Sequence, residues 1–79
     1  MKFNPQILKQ LREKKELNRT NLVLELYKKY NYRITDQTIS NWENGIHVPD
    51  VNTLAKLASF FEVSIEYFFD NKQDKTVMS

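Results

Sequence analysis

The stretch Thr35-Asp36-Gln37-Thr38-Ile39-Ser40-Asn41-Trp42-Glu43-Asn44-Gly45 carries its own start and stop. Thr35 can cap a first helical turn through its hydroxyl, and Gly45 can take the left-handed conformation that ends a helix without a Cβ penalty. Between them Ile39 and Trp42 are the only large apolar residues, three apart, and form one narrow stripe suited to docking on a core. Asp36, Gln37, Ser40, Asn41 and Asn44 fall largely off that stripe and make a face rich in hydrogen-bonding groups. A Gln or Asn side chain can grip an adenine edge with two parallel hydrogen bonds, each such pair giving about 1–3 kcal/mol of base discrimination. The alternative is a short surface helix whose amides are merely solvated, and the flanking chain has to decide.

Upstream, Asn4-Pro5 is a helix start, because Asn caps with its side-chain oxygen and Pro at the first helical position lacks only an N–H that has no partner there. Phe3 can staple onto Leu8, and Ile7, Leu8 and Leu11 form the buried stripe, with Lys9, Arg12, Lys14 and Lys15 off it. This first helix is expected to end near Lys15. Leu17 reads as a buried hinge, and Asn18 then caps a second helix through about Tyr30, with Leu22, Val23, Leu26, Tyr27 and Tyr30 at helical spacing. Asn31 is a natural left-handed terminator, and Ile34 can tuck inward before Thr35.

Downstream, Pro49 holds Val48 in an extended conformation and Asp50 caps a fourth helix. Its stripe is Val51, Leu54, Leu57, Ala58 and Phe61. Ser64 can cap a last short helix, Ile65 to Phe69, that turns Ile65, Phe68 and Phe69 to the core or to a second subunit. Residues 1–69 thus read as one helical domain, and the polar tail 70–79 has no periodicity and is expected to fray.

Composition narrows the function. Seventy-nine residues fit one small domain, which buries roughly 60% of the surface its unfolded chain exposes. There is no cysteine and one histidine, so no disulfide, thiolate metal site or cofactor is implied, and the N-terminus is not a signal run. No stretch approaches the roughly 20 apolar residues of a membrane span, and the chain reads as cytoplasmic. Net charge is only +2, yet residues 1–34 carry +6 and residues 35–79 carry −4, so the N-terminal half is the one that can face phosphates. Catalysis finds little support, with no paired carboxylates on a shared face beside a basic or nucleophilic partner.

The order of capped helix, helix, short turn, capped polar helix, Pro-Asp, amphipathic helix and short helix resembles the phage repressor and Cro (Xre-type) helix-turn-helix family over about residues 5–69. The residues that carry the likeness are Leu11-Arg12-Glu13, Leu17-Asn18, Thr38 through Gly45, Pro49-Asp50, Thr53-Leu54, Lys56-Leu57-Ala58 and Val63-Ser64-Ile65. The resemblance implies an all-α, five-helix, lambda-repressor-like domain in which the third helix enters the major groove and the second lies across the backbone above it. Carried over residue by residue, Asp36, Gln37 and Asn41 occupy base-reading positions, Thr38 and Asn44 phosphate or groove-wall positions, and Arg12, Asn18 and the segment Asp50 to Thr53 phosphate positions.

Two departures stand out. The second helix and its turn are about six residues longer than usual for the family, the excess falling in Tyr27 to Arg33. Lys28, Lys29 and Arg33 there either each neutralise a phosphate or belong to a longer solvated helix with Tyr filling the core edge. Asp36 faces where phosphates repel a carboxylate; it either accepts from a cytosine amino group or serves folding by complementing the helix dipole.

Trp42 reads as core rather than a base-stacking platform, His47 as a loop residue, and Glu43 as an ion partner for a base such as Arg12. The function implied is a sequence-specific, double-stranded DNA-binding transcriptional regulator of the repressor kind, with no small-molecule effector evident. Its expected form is a homodimer on half-sites about 34 Å apart. The aromatic set Phe60, Phe61, Tyr67, Phe68 and Phe69 either pairs across the two-fold axis or packs the chain's own core. The competing reading is a protein-interaction module on the same fold, such as an antitoxin-like or polymerase-binding partner, and salt dependence of binding separates the two.

Overall fold

The computed structural model describes residues 2–69. Within them lie four α-helices, α1 (Pro5–Lys14), α2 (Arg19–Tyr30), α3 (Asp36–Glu43) and α4 (Val51–Phe61), followed by one 3-10 turn at Ile65–Phe68. The tail 70–79 lies outside the described residues.

Each α-helix starts where a local donor-acceptor pair dictates. The side-chain oxygens of Asn4, Asn18, Thr35 and Asp50 accept from the backbone N–H of Gln6, Asn21, Thr38 and Thr53 respectively. Each bond satisfies one of the helix-start donors that otherwise has no partner. The ends follow the same logic: Asn31 and Glu62 adopt left-handed φ of 55° and 61° after α2 and α4, and Gly45 takes 76° just beyond α3. At Gly45 a Cβ would be strained by that φ, which is why glycine stands there.

Leu8, Leu22, Leu26, Ile39, Leu57 and Phe68 are fully buried and, with Phe3, Trp42, Leu54, Ala58, Phe60 and Phe61, make one core. Both α1 and α2 pack on α3, while α4 closes the far side against α2 and the 3-10 turn. The two ends of the described segment clasp: Asn4 N–H donates to the Phe68 carbonyl at 2.8 Å, Phe3 and Phe69 form an antiparallel bridge, and the Phe3 and Phe68 rings stack 6.3 Å apart.

Three expectations change. The fifth helix is a single 3-10 turn, because the Phe68 carbonyl is taken by Asn4, Phe69 is already extended, and the Ser64 side chain makes no cap bond. Val51, placed on the α4 stripe by spacing, is 73% exposed, because at the start of α4 it is Thr53 and Leu54 that turn inward; Thr53 and Phe60 are buried instead. Arg12, assigned to the solvent face of α1, is buried. The aromatic set divides: Phe60, Phe61 and Phe68 belong to this chain's own core, leaving Tyr67 exposed.

Candidate nucleic-acid interface

α3 is held from behind by its apolar stripe and by one ion cluster. Ile39 and Trp42 enter the core, and so does the Glu43 carboxylate, with a side chain only 1% exposed. Arg12 of α1 meets it in a two-pronged pair, Nε to Oε2 at 2.7 Å and Nη2 to Oε1 at 3.1 Å, while its Nη1 donates to the Leu17 carbonyl at 2.8 Å. Arg19, on the first turn of α2, adds Nη2 to Glu43 Oε1 at 3.0 Å with its side chain 37% exposed. The Glu43 carboxylate pushes the Arg12 pKa above its ordinary value, so the guanidinium stays charged in the interior. Glu43 is thus the ion partner of Arg12 that the sequence suggested. The phosphate role inferred for Arg12 is corrected, because all its nitrogens face protein acceptors.

With that side anchored, the remaining groups of α3 face outward or along its rim. Gln37 Nε2 donates to Asn41 Oδ1 at 3.0 Å, Asn44 Nδ2 to Ser40 Oγ at 3.2 Å, and Thr38 shares a hydroxyl contact of 3.1 Å with Thr35. The Asn41 carbonyl of the main chain receives Ile46 N–H and His47 N–H, which fastens the following loop to the helix end. Asp36 is exposed and accepts from the Thr20 hydroxyl of α2, so the carboxylate ties the starts of the two helices together. This contact gives Asp36 a folding role and leaves its other oxygen free for a donor.

The basic residues of the extension do not form one patch. Lys28 is 69% exposed and lies 3.7 Å from Glu25. Lys29 sits over the Phe60 ring beside Lys15, and Arg33 lies over Tyr27, in an open groove lined by Val23, Leu24 and Ile34. Tyr32 turns back onto α4, where its hydroxyl pairs with Thr53 and its ring receives Lys56. The added residues are therefore divided: Tyr27 to Tyr30 form the last turn of α2, and Asn31 to Arg33 form a turn latched to α4 through Tyr32. Asn18 is exposed with its oxygen engaged as a cap, leaving its amide nitrogen outward.

Asp50, at the start of α4, accepts from both the backbone N–H and the hydroxyl of Thr53, and these bonds hold its carboxyl below the usual range. Arg19 and Thr20 are the residues that sequence reasoning missed. Their position directly after the Asn18 cap, on the helix that lies against α3, was the available signal. Among the described residues there is no cluster able to hold a metal ion and no helix long and apolar enough to cross a membrane.

Comparison with curated proteins and with solved structures gives no match. A helix-turn-helix family model matches residues 8–68, a span that contains α2, α3 and the turn between them. The chain belongs to the Xre-type (cro/C1-type) helix-turn-helix family of DNA-binding domains.

Proposed function

We propose that this protein is a sequence-specific, double-stranded DNA-binding transcriptional regulator of the repressor kind, working in the cytoplasm and reading the major groove with α3. The observation that carries this reading is the division of α3: Ile39, Trp42 and Glu43 are buried, while Gln37, Asn41 and Asn44 remain on the other side. Amides in that position match base edges in number and chemistry. Asp36, Gln37 and Asn41 are the base readers, and Asn18, Lys28, Lys29, Arg33, Thr38 and Asn44 the backbone contacts. Charge attraction comes from α1 and α2, since α3 carries no Lys or Arg.

A homodimer on a pseudo-palindromic operator fits this reading, because a two-fold protein matches two half-sites about 34 Å apart. With Phe60, Phe61 and Phe68 in the core, the exposed Ile65 and Tyr67 are the apolar side chains available for pairing near the C-terminal end of the described residues.

The test is selection from a random duplex pool at two salt concentrations, with the wild type and the Gln37→Ala, Asn41→Ala double variant. A palindromic motif that weakens at high salt and loses base preference in the double variant is the expected result. No enrichment at low salt overturns it and makes the polar face of α3 a protein-binding surface.

A further inference from the structure

The two amides on the exposed side of α3 are joined to each other. Gln37 Nε2 donates to Asn41 Oδ1 at 3.0 Å across one helical turn, a pairing that i,i+4 geometry favours. Main-chain bonds from Ile46 and His47 to the Asn41 carbonyl fix the backbone beneath the pair. A free primary amide can turn either edge outward, so a lone Asn or Gln presents a donor and an acceptor together and suits adenine. The bond between them removes that equivalence. It engages one lone pair of the Asn41 side-chain oxygen and leaves the Asn41 amino group without a side-chain acceptor among the described residues. Gln37 keeps its carbonyl oxygen and one N–H.

We infer that Gln37 and Asn41 read DNA as a coupled unit, in which Gln37 takes an adenine and Asn41, with one lone pair of its side-chain oxygen already engaged by Gln37, reads mainly as a donor and takes the base edge richest in acceptors, guanine. In the major groove guanine offers two acceptors, O6 and N7, and thymine offers O4, whereas adenine sets an amino donor beside its N7 acceptor and cytosine offers an amino donor alone. An Asn41 amino group facing the adenine or cytosine amino group leaves two donors opposed. Residues 37 and 41 are about 6 Å apart along the helix axis, which spans one to two base-pair steps of about 3.4 Å. The two readings therefore fall on neighbouring or next-neighbouring base pairs. This rests on the DNA-reading assignment above and deepens it by stating the chemistry of the half-site.

The coupling makes a prediction that two independent readers do not share: changing residue 37 alters base preference at the position read by residue 41. The experiment takes the duplex selected by the wild-type chain and every single-base-pair variant of one half-site. Fluorescence anisotropy then gives affinities for the full chain as wild type, Gln37→Ala and Gln37→Glu. The wild type is expected to favour guanine over cytosine about tenfold at one position and adenine about tenfold at another. Gln37→Ala loses the second preference and, by releasing the Asn41 carbonyl, moves the first toward adenine. Gln37→Glu draws the Asn41 amino group inward and moves that position to adenine or cytosine, whose amino groups meet the exposed carbonyl. Gln37 is exposed, so both variants are expected to keep the wild-type melting temperature.

A preference lost only at the position read by residue 37, with the other unchanged in both variants, overturns the coupling while leaving DNA reading intact. If the wild type selects no duplex, the assignment of α3 as a reading helix falls, and the coupled code with it.

Discussion

Arg12 and Glu43, thirty-one residues apart, form a buried two-pronged ion pair with a shortest distance of 2.7 Å, and it is this pair that fastens α1 to the end of α3. Removing Glu43 leaves Arg12 without its counter-ion in the interior, and removing Arg12 leaves the Glu43 carboxylate with only the partly exposed Arg19. Arg12→Ala and Glu43→Ala are each expected to lower unfolding free energy by about 3–5 kcal/mol in urea titrations. The double variant should lose clearly less than the sum of the two, because the same interaction is removed only once. Additive losses would show that the pair is not the unit that holds α3.

Tyr32 latches the α2–α3 turn to α4 through the Thr53 hydroxyl, which is buried. Tyr32→Phe is expected to cost about 0.5–1.5 kcal/mol in the same denaturation assay, since the Thr53 hydroxyl keeps Asp50 but loses the phenol. A Tyr32→Phe variant as stable as the wild type would remove the latch from the description of this turn.

Asp50 predicts a pH dependence. Its carboxyl is held below the ordinary value of about 3.9 by the two bonds from Thr53, so the folded state favours the ionised form. A depressed folded pKa contributes stability that is complete above the ordinary value and is lost as pH falls through the folded one. The stability difference between wild type and Asp50→Asn is therefore expected to be constant above about pH 5 and to shift against the wild type below about pH 4. Urea midpoints of the two proteins between pH 6 and pH 2 measure it.

Glu62 ends α4 at φ 61°, a left-handed conformation that penalises a Cβ. Glu62→Gly is expected to raise stability by about 0.5–1 kcal/mol, seen as a higher urea midpoint with an unchanged slope. Glu62→Ala, which keeps the Cβ, should give no such gain.

Lys28 and Arg33 test the phosphate contacts assigned to the extension. Each single change to Ala is expected to reduce the slope of log K against log[salt] by about 1 while leaving base preference unaltered. Altered base preference with an unaltered slope would move these residues out of the backbone set.

The starts of all four α-helices were determined by the sequence alone, because Asn4, Asn18, Thr35 and Asp50 each find their partner within three residues. The left-handed ends at Asn31 and Gly45 and the inward stripe of Ile39 and Trp42 are local in the same way, as is the amide-bearing face of α3. The motif that places the chain in its family lies within these locally determined segments. Tertiary structure decided what depended on distant partners. Arg12 looks like a solvent-facing base by helical spacing, and only the approach of Glu43 makes its burial stable. Val51 lies on the apolar stripe by spacing, yet at the start of α4 it is Thr53 and Leu54 that turn inward. Phe68 stops as a 3-10 turn because Asn4, more than sixty residues earlier, takes its carbonyl. Helical periodicity reports which residues share a face, but which face meets a neighbour, and whether a charge there finds its counter-ion, is set only when the helices pack.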